Sequence, residues 1–86
     1  MKSFAVTVTT TPTLLVPADD FARHVYIHVN GNATVYLGNS TVTTSTGLAT
    51  EKHTSPIEIF LPSRQTIYAI VAADTENVRI LTPDID

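Results

Sequence analysis

The sequence predicts an all-β protein: a single small β-sandwich, or flattened barrel, of about eight short, mostly antiparallel strands. Three observations carry this. Threonine fills 15 of the 86 positions; it is β-branched, loses rotamer freedom in a helix and suits a pleated, half-wet strand. Apolar and polar residues alternate with period two in segment after segment, the mark of strands with one buried face. Turn signals recur between those segments at the spacing of a sandwich or small barrel. Lysine, glutamate and glutamine are scarce and never cluster, so no helix longer than a turn is expected.

Taken in order, Phe4, Val6 and Val8 alternate with Ala5, Thr7 and Thr9, predicting a first strand. Thr10-Thr11-Pro12-Thr13 breaks it, since proline cannot donate to a ladder, and Leu14-Leu15-Val16 resumes extended structure up to Pro17. Residues 1–16 are thus either the first strands or an extended amino-terminal arm. Ala18 to Ala22 reads as a turn or short 3₁₀ segment. Arg23 to Val29 sets Val25, Ile27 and Val29 against His24, Tyr26 and His28. Asn30-Gly31 then reads as a type I′ hairpin turn, which needs positive φ, with Val35 and Leu37 inward on the returning strand. Gly38-Asn39 turns again into a polar strand, Ser40 to Thr44. Residues 48–56 read as a connection. Pro56 and Pro62 bracket a strand with Ile57, Ile59 and Leu61 inward, and Thr66 to Ala72 is apolar on both faces, as a central strand should be. Residues 73–77 form the last turn, Val78 to Leu81 the last strand, and 82–86 a frayed acidic tail.

At 86 residues and 9.3 kDa the chain makes one domain, 1–86, that buries roughly 60% of its open-chain surface. A net charge of −3 lacks the basic stripe of a nucleic-acid binder. The absence of cysteine excludes disulfides, thiol nucleophiles and cysteine zinc sites. No apolar run reaches bilayer length, and the alternating amino-terminal segment is unlike a signal peptide.

Few residues point to chemistry. His24 and His28 share a strand face but stand roughly 13 Å apart, too far for one ion, and His53 lies in a distant loop. Asp19-Asp20 and Asp84/Asp86 lack the spacing of a calcium loop. Serines occur at turns and strand ends without a glycine elbow, and Glu51 with Glu58 has little room for a cleft. No catalytic, metal or cofactor site is expected, and the protein is read as not an enzyme. The sequons Asn32-Ala33-Thr34 and Asn39-Ser40-Thr41 place asparagine where turns favour left-handed geometry. What remains are Tyr26, Tyr36 and Tyr68, out of phase with the aliphatic core and thus either packed under loops or part of a contact surface.

The run Arg23-His24-Val25-Tyr26-Ile27-His28-Val29-Asn30-Gly31 is followed by Thr34-Val35-Tyr36-Leu37-Gly38, Ser40-Thr41-Val42-Thr43 and Thr46-Gly47-Leu48. Later come Ile57-Glu58-Ile59-Phe60-Leu61, Ile67-Tyr68-Ala69-Ile70 and Val78-Arg79-Ile80-Leu81. In order and spacing this resembles the small β-sandwich virion proteins of tailed bacteriophages, of the capsid-decoration and minor-head type. The resemblance implies a structural protein, made in the host cytoplasm and carried on the capsid surface of the virion. It would bind the major capsid protein or another virion protein as a homo-oligomer, a trimer by analogy with the group, without nucleic acid or membrane. A tail component and a carbohydrate- or receptor-binding adhesion module are the alternatives. The partner-binding residues expected are Thr9, Thr10, Thr11, Pro12 and Thr13, whose extended polar run suits strand addition, together with Tyr26, Tyr36 and Tyr68.

Overall fold

The computed structural model describes residues 1–52 and 56–83. Within them are eight strands: β1 (Lys2–Val8), β2 (Thr13–Val16), β3 (Arg23–Val29), β4 (Val35–Gly38), β5 (Leu48–Thr50), β6 (Ile57–Leu61), β7 (Ile67–Val71) and β8 (Glu76–Thr82). They form two antiparallel sheets of four, ordered β1-β8-β3-β6 and β2-β7-β4-β5. The chain is a small β-sandwich, as its composition and periodicity predict.

The core lies between the sheets. Val8, Val25, Ile27, Val29, Val78 and Ile80 come from the first sheet and Leu15, Val16, Val35, Ala69 and Val71 from the second. β7 is central in its sheet, and its apolar outer residue Ile70 is covered as well as its inner face. In β2 the register shifts between Leu14 and Val16, so the consecutive residues Leu15 and Val16 are both buried, an irregularity that strict alternation does not anticipate. Of the two readings of residues 1–16, the structure takes the strands: β1 pairs with β8 from Lys2 to Val8, and Val8 is fully buried.

Several local expectations are corrected. Asn30-Gly31 is not a hairpin turn, because β3 and β4 lie in different sheets. Both sides of β3 are already occupied, by β8 and β6, so the chain leaves across the sandwich. No glycine has positive φ, and among the described residues the non-glycine positions that do are Arg64 (66°) and Asp74 (58°), so neither sequon asparagine is left-handed.

The polar strand expected over 40–44 does not form, because side chains there take over the backbone's hydrogen bonds. The Asn39 carboxamide oxygen accepts from the Thr41 N–H (3.0 Å) and hydroxyl (2.8 Å), the Thr46 hydroxyl accepts the Thr43 N–H at 3.2 Å, and the Thr43 hydroxyl accepts the Ser45 N–H at 3.3 Å. The strand that pairs with β4 is instead β5, in the segment read as a connection. Thr82, assigned to the tail, is a buried residue of β8. Asp84 and Asp86 of that tail, and His53, lie outside the described residues.

The connection from β1 to β2 is a self-bonded corner. Thr9 Oγ1 lies 3.1 Å from Thr11 Oγ1, the Thr13 hydroxyl donates to the Thr11 carbonyl at 3.0 Å, and the Val71 N–H donates to the Thr9 carbonyl at 3.1 Å. Threonines 9, 11 and 13 therefore spend hydrogen bonds on turning the chain from one sheet to the other.

Candidate functional site

Two buried charged residues tie down opposite ends of the sandwich. Arg23 opens β3 on its inner side, and its guanidinium donates to the carbonyls of Phe21 (3.2 Å) and Pro17, gathering the 17–22 loop. Glu76 opens β8 at the far end. Its Oε1 accepts from the Ala33 N–H and its Oε2 from the Asn77 N–H, both at 2.9 Å, which draws in the loop joining β3 to β4. Its carboxylate occupies the space a Cβ on residue 31 would need, so Gly31 is required here for room, not for a turn angle. Both charges are met by hydrogen bonds, as buried charges must be. Neither residue stands out from the sequence, in which Arg23 heads an alternating run and Glu76 lies in an apparent turn.

The outer faces of the two sheets differ, and they separate the tyrosines. Tyr26 is on the first sheet; Tyr36 and Tyr68 are on the second, on the opposite side of a molecule 16 Å thick. On the second sheet Tyr36 stands beside Ile70, and Tyr68 between Leu14 and Gly38. The 39–47 loop folds over this face: Val42 is buried against Gly38 and Gly47, and the Cβ of Tyr36 lies where a side chain on Gly47 would go. Tyr36 is therefore partly packed under a loop, the other of the two roles expected for these aromatics.

The first sheet's outer face is open. A shallow groove of about 440 Å³ runs over it, with Ser3 and Ala5 of β1 forming its low side, Leu81 and Arg79 its floor, and Tyr26 and His28 its high side. The register places Ser3 beside Leu81 and Ala5 beside Arg79, and then Leu81 beside Tyr26 and Arg79 beside His28. Small residues on one strand against tall rings two strands away make the concavity. Beyond Tyr26, the Glu58 carboxylate accepts the Tyr26 hydroxyl at 3.3 Å and lies 3.1 Å from His24 Nδ1. His24 in turn meets the edge of the exposed Phe60 ring at 5.2 Å between centroids. His24 and His28 point from one strand face toward different neighbours, and among the described residues no three histidine or acidic side chains converge on a common point.

A second recess, of about 340 Å³, opens along the seam between β5 and β6, where the exposed Leu48 and half-buried Ile59 flank the buried Leu37 and Ile67. It is a gap between sheet edges, lined by residues continuous with the core. Among the described residues no helix is long and apolar enough to cross a membrane. Comparison with family models, with curated proteins and with solved structures found no match.

Proposed function

We propose that the chain is a non-enzymatic structural protein that acts by surface contact, docking the outer face of the β1-β8-β3-β6 sheet onto an assembled protein surface. The setting is the one the sequence resemblance implies: the capsid of a tailed bacteriophage, which the protein decorates or cements by binding the major capsid protein or another virion protein.

The observation that carries the reading is the composition of the groove and its surround. Leu81, 37% exposed, and the Tyr26 ring provide an apolar centre, and Phe60, 57% exposed, stands outside it on the edge strand beside His24. Arg79, His28, Glu58 and His24 surround it with polar groups. An apolar centre inside a polar rim is the anatomy of a protein-binding patch. The groove is open along its length and the Tyr26 hydroxyl is engaged by Glu58, which favours contact over catalysis. Many identical copies on a repeating shell would gain occupancy from multivalency without a tight individual site.

Co-sedimentation of the purified protein with shells of its phage tests this. Saturable binding is expected, lost in Leu81→Asp and retained in Leu14→Asp on the opposite outer face. Protein left in the supernatant at tens of micromolar, about the strength of a weak single contact, would overturn it, as would equal sensitivity to both substitutions. A second reading draws on the same sheet face: Tyr26 in the groove and Phe60 on the edge strand offer rings on which sugars stack, with His28 and Arg79 in the groove as hydroxyl partners. Selective retention on a glycan array, with no shell binding, would favour that adhesion role.

A further inference from the structure

We propose that β1 is the surface through which two copies of this chain pair, edge to edge and antiparallel, about a two-fold axis at Ala5. The inference does not rest on the docking reading, since it concerns the chain's contact with itself.

The two sheets have four edge strands, β1, β6, β2 and β5, and three of them are blunted. β6 is bracketed by Pro56 and Pro62 and carries Glu58 at its second residue. β2 lies between Pro12 and Pro17 and contains a register shift. β5 has three residues. Prolines, charges, irregular register and short length are the devices that keep sheet edges from pairing. β1 has none of them within its span: seven residues in unbroken register with β8, no proline, and its one charge, Lys2, at the very start. Its free side presents a row of backbone donors and acceptors to any strand that aligns with it.

The side chains make that partner a second copy. In an antiparallel pair related by a two-fold axis through the sheet, facing residues must share a face, so the axis falls at a residue and not between two. Ala5 is the centre that uses all seven residues of Lys2–Val8. It sets Phe4 opposite Val6 of the second copy on the core side, an aromatic against a β-branched residue. On the outer side it sets Ser3 opposite Thr7, two hydroxyls that can bond. Both are favourable cross-strand pairs. Each Lys2 falls opposite a Val8, keeping the two ammonium groups at opposite ends of the seam. Phe4 and Val6 are only half-buried although they point toward the core, and a neighbouring strand would cover them. The joined sheet would run through eight strands, with two grooves side by side across the axis, because Ser3 and Ala5 form the low side of each.

Size sets the strength. Seven residues at about 3.4 Å each give a seam of roughly 24 Å, and with a molecule 16 Å thick the footprint is about 380 Å² per copy. That falls well short of the roughly 800 Å² per partner of stable complexes, so the dimer is weak, with a dissociation constant on the order of 100 µM. Pairing through one shared edge closes at two copies.

Sedimentation velocity over a concentration series tests the stoichiometry, and single cysteines in this cysteine-free chain test the register. A monomer–dimer equilibrium is expected. Ala5→Glu should weaken it by about tenfold or more, because it sets two carboxylates face to face across the axis. Within one copy the new carboxylate lies beside Arg79, so the melting temperature should hold. Ala5→Cys should oxidise to a disulfide dimer, since facing residues lie within bridging distance. Thr7→Cys should not, its own copy lying four residues along the seam. A chain that stays monomeric to about 1 mM, ten times the expected constant, would overturn the proposal. So would a trimer, or a dimer that survives Ala5→Glu or fails to cross-link through Ala5→Cys.

Discussion

Glu76 offers the sharpest test of how the fold is held. Replacing it by glutamine keeps the shape of the side chain and removes one of its two acceptor oxygens. In the native chain those oxygens take the Ala33 and Asn77 N–H groups at 2.9 Å each. In the variant one N–H faces a carboxamide NH₂ and the other keeps a neutral acceptor. A hydrogen bond to a charged group contributes about 1.5–3 kcal/mol, and a neutral one about 1. Losing one and weakening the other should cost about 2 kcal/mol, discounted toward the lower end because both sites are only part-buried. For a domain of this size that is a fall of roughly 8–16 °C in melting temperature.

Thermal and urea denaturation read the total, and amide exchange at Ala33 reads the loop. Gly31→Ala should act through the same contact, because its methyl would displace the Glu76 carboxylate. The double variant should therefore cost clearly less than the sum of the two singles, as coupled neighbours do. Strict additivity, or a Glu76→Gln melting temperature within about 3 °C of wild type (less than 1 kcal/mol), would refute the idea that this carboxylate anchors the β3–β4 crossing.

Other consequences are more direct. Ile27→Ala, at a site 1% exposed, should cost about 2–5 kcal/mol by denaturation, a large part of the total for so small a domain. Ile59→Ala should cost distinctly less, because Ile59 stands at the open β5–β6 seam. Gly47→Ala should lift the 39–47 loop, since its Cβ would fall 2.6 Å from the Tyr36 Cβ and 2.9 Å from Val42; raised exchange across residues 40–47 with β3 and β8 still protected would show this. Chelators and reductants should leave the melting temperature unchanged, the chain having no cysteine and no converging ligand set among the described residues. Refolding should be slow for the chain length, milliseconds to seconds by stopped flow, because nearly all pairings are between distant strands.

Which residues form strands was largely readable because the signal is local. Alternation such as Val25, Ile27, Val29 against His24, Tyr26, His28 needs one wet face and one dry face, and the burial of β3 follows it residue by residue. Pairing was not readable in the same way, because period two states that a strand has a buried face and not which strand lies beside it. Asn30-Gly31 illustrates the gap. The dipeptide favours a tight turn, but the two sides of β3 are taken by β6 and β8, far along the chain, so the local preference is overridden. The 40–44 segment failed differently: threonine suits strands, yet its hydroxyl and the Asn39 carboxamide also satisfy backbone groups directly, and here that competition won. The candidate face was legible in part. Tyr26 could be assigned to an outer surface from its phase alone, whereas the groove depends on Ser3 and Ala5 of β1 lying two strands away, a juxtaposition created by topology.

The topology also explains why sheet faces and edges, more than loops, are the candidate contact surfaces. Of the seven connections between strands, six pass from one sheet to the other, and β4–β5 alone is a hairpin. A crossing connection must span the sandwich's end, and several here are consumed in doing so. The β1–β2 corner bonds its own threonines and β7, the 17–22 loop is gathered by Arg23, and the β3–β4 loop is held by Glu76. Segments committed to such bonds have fewer groups to offer a partner, since each would have to exchange an existing hydrogen bond for a new one. The second sheet's outer face is partly closed by its hairpin loop, through Val42. The groove of about 440 Å³ lies on the first sheet, bounded on one side by the unblunted edge of β1. Face and edge share Ser3 and Ala5, so a change at either residue would act on both, and separate assays of self-association and of shell binding are what assign its effect.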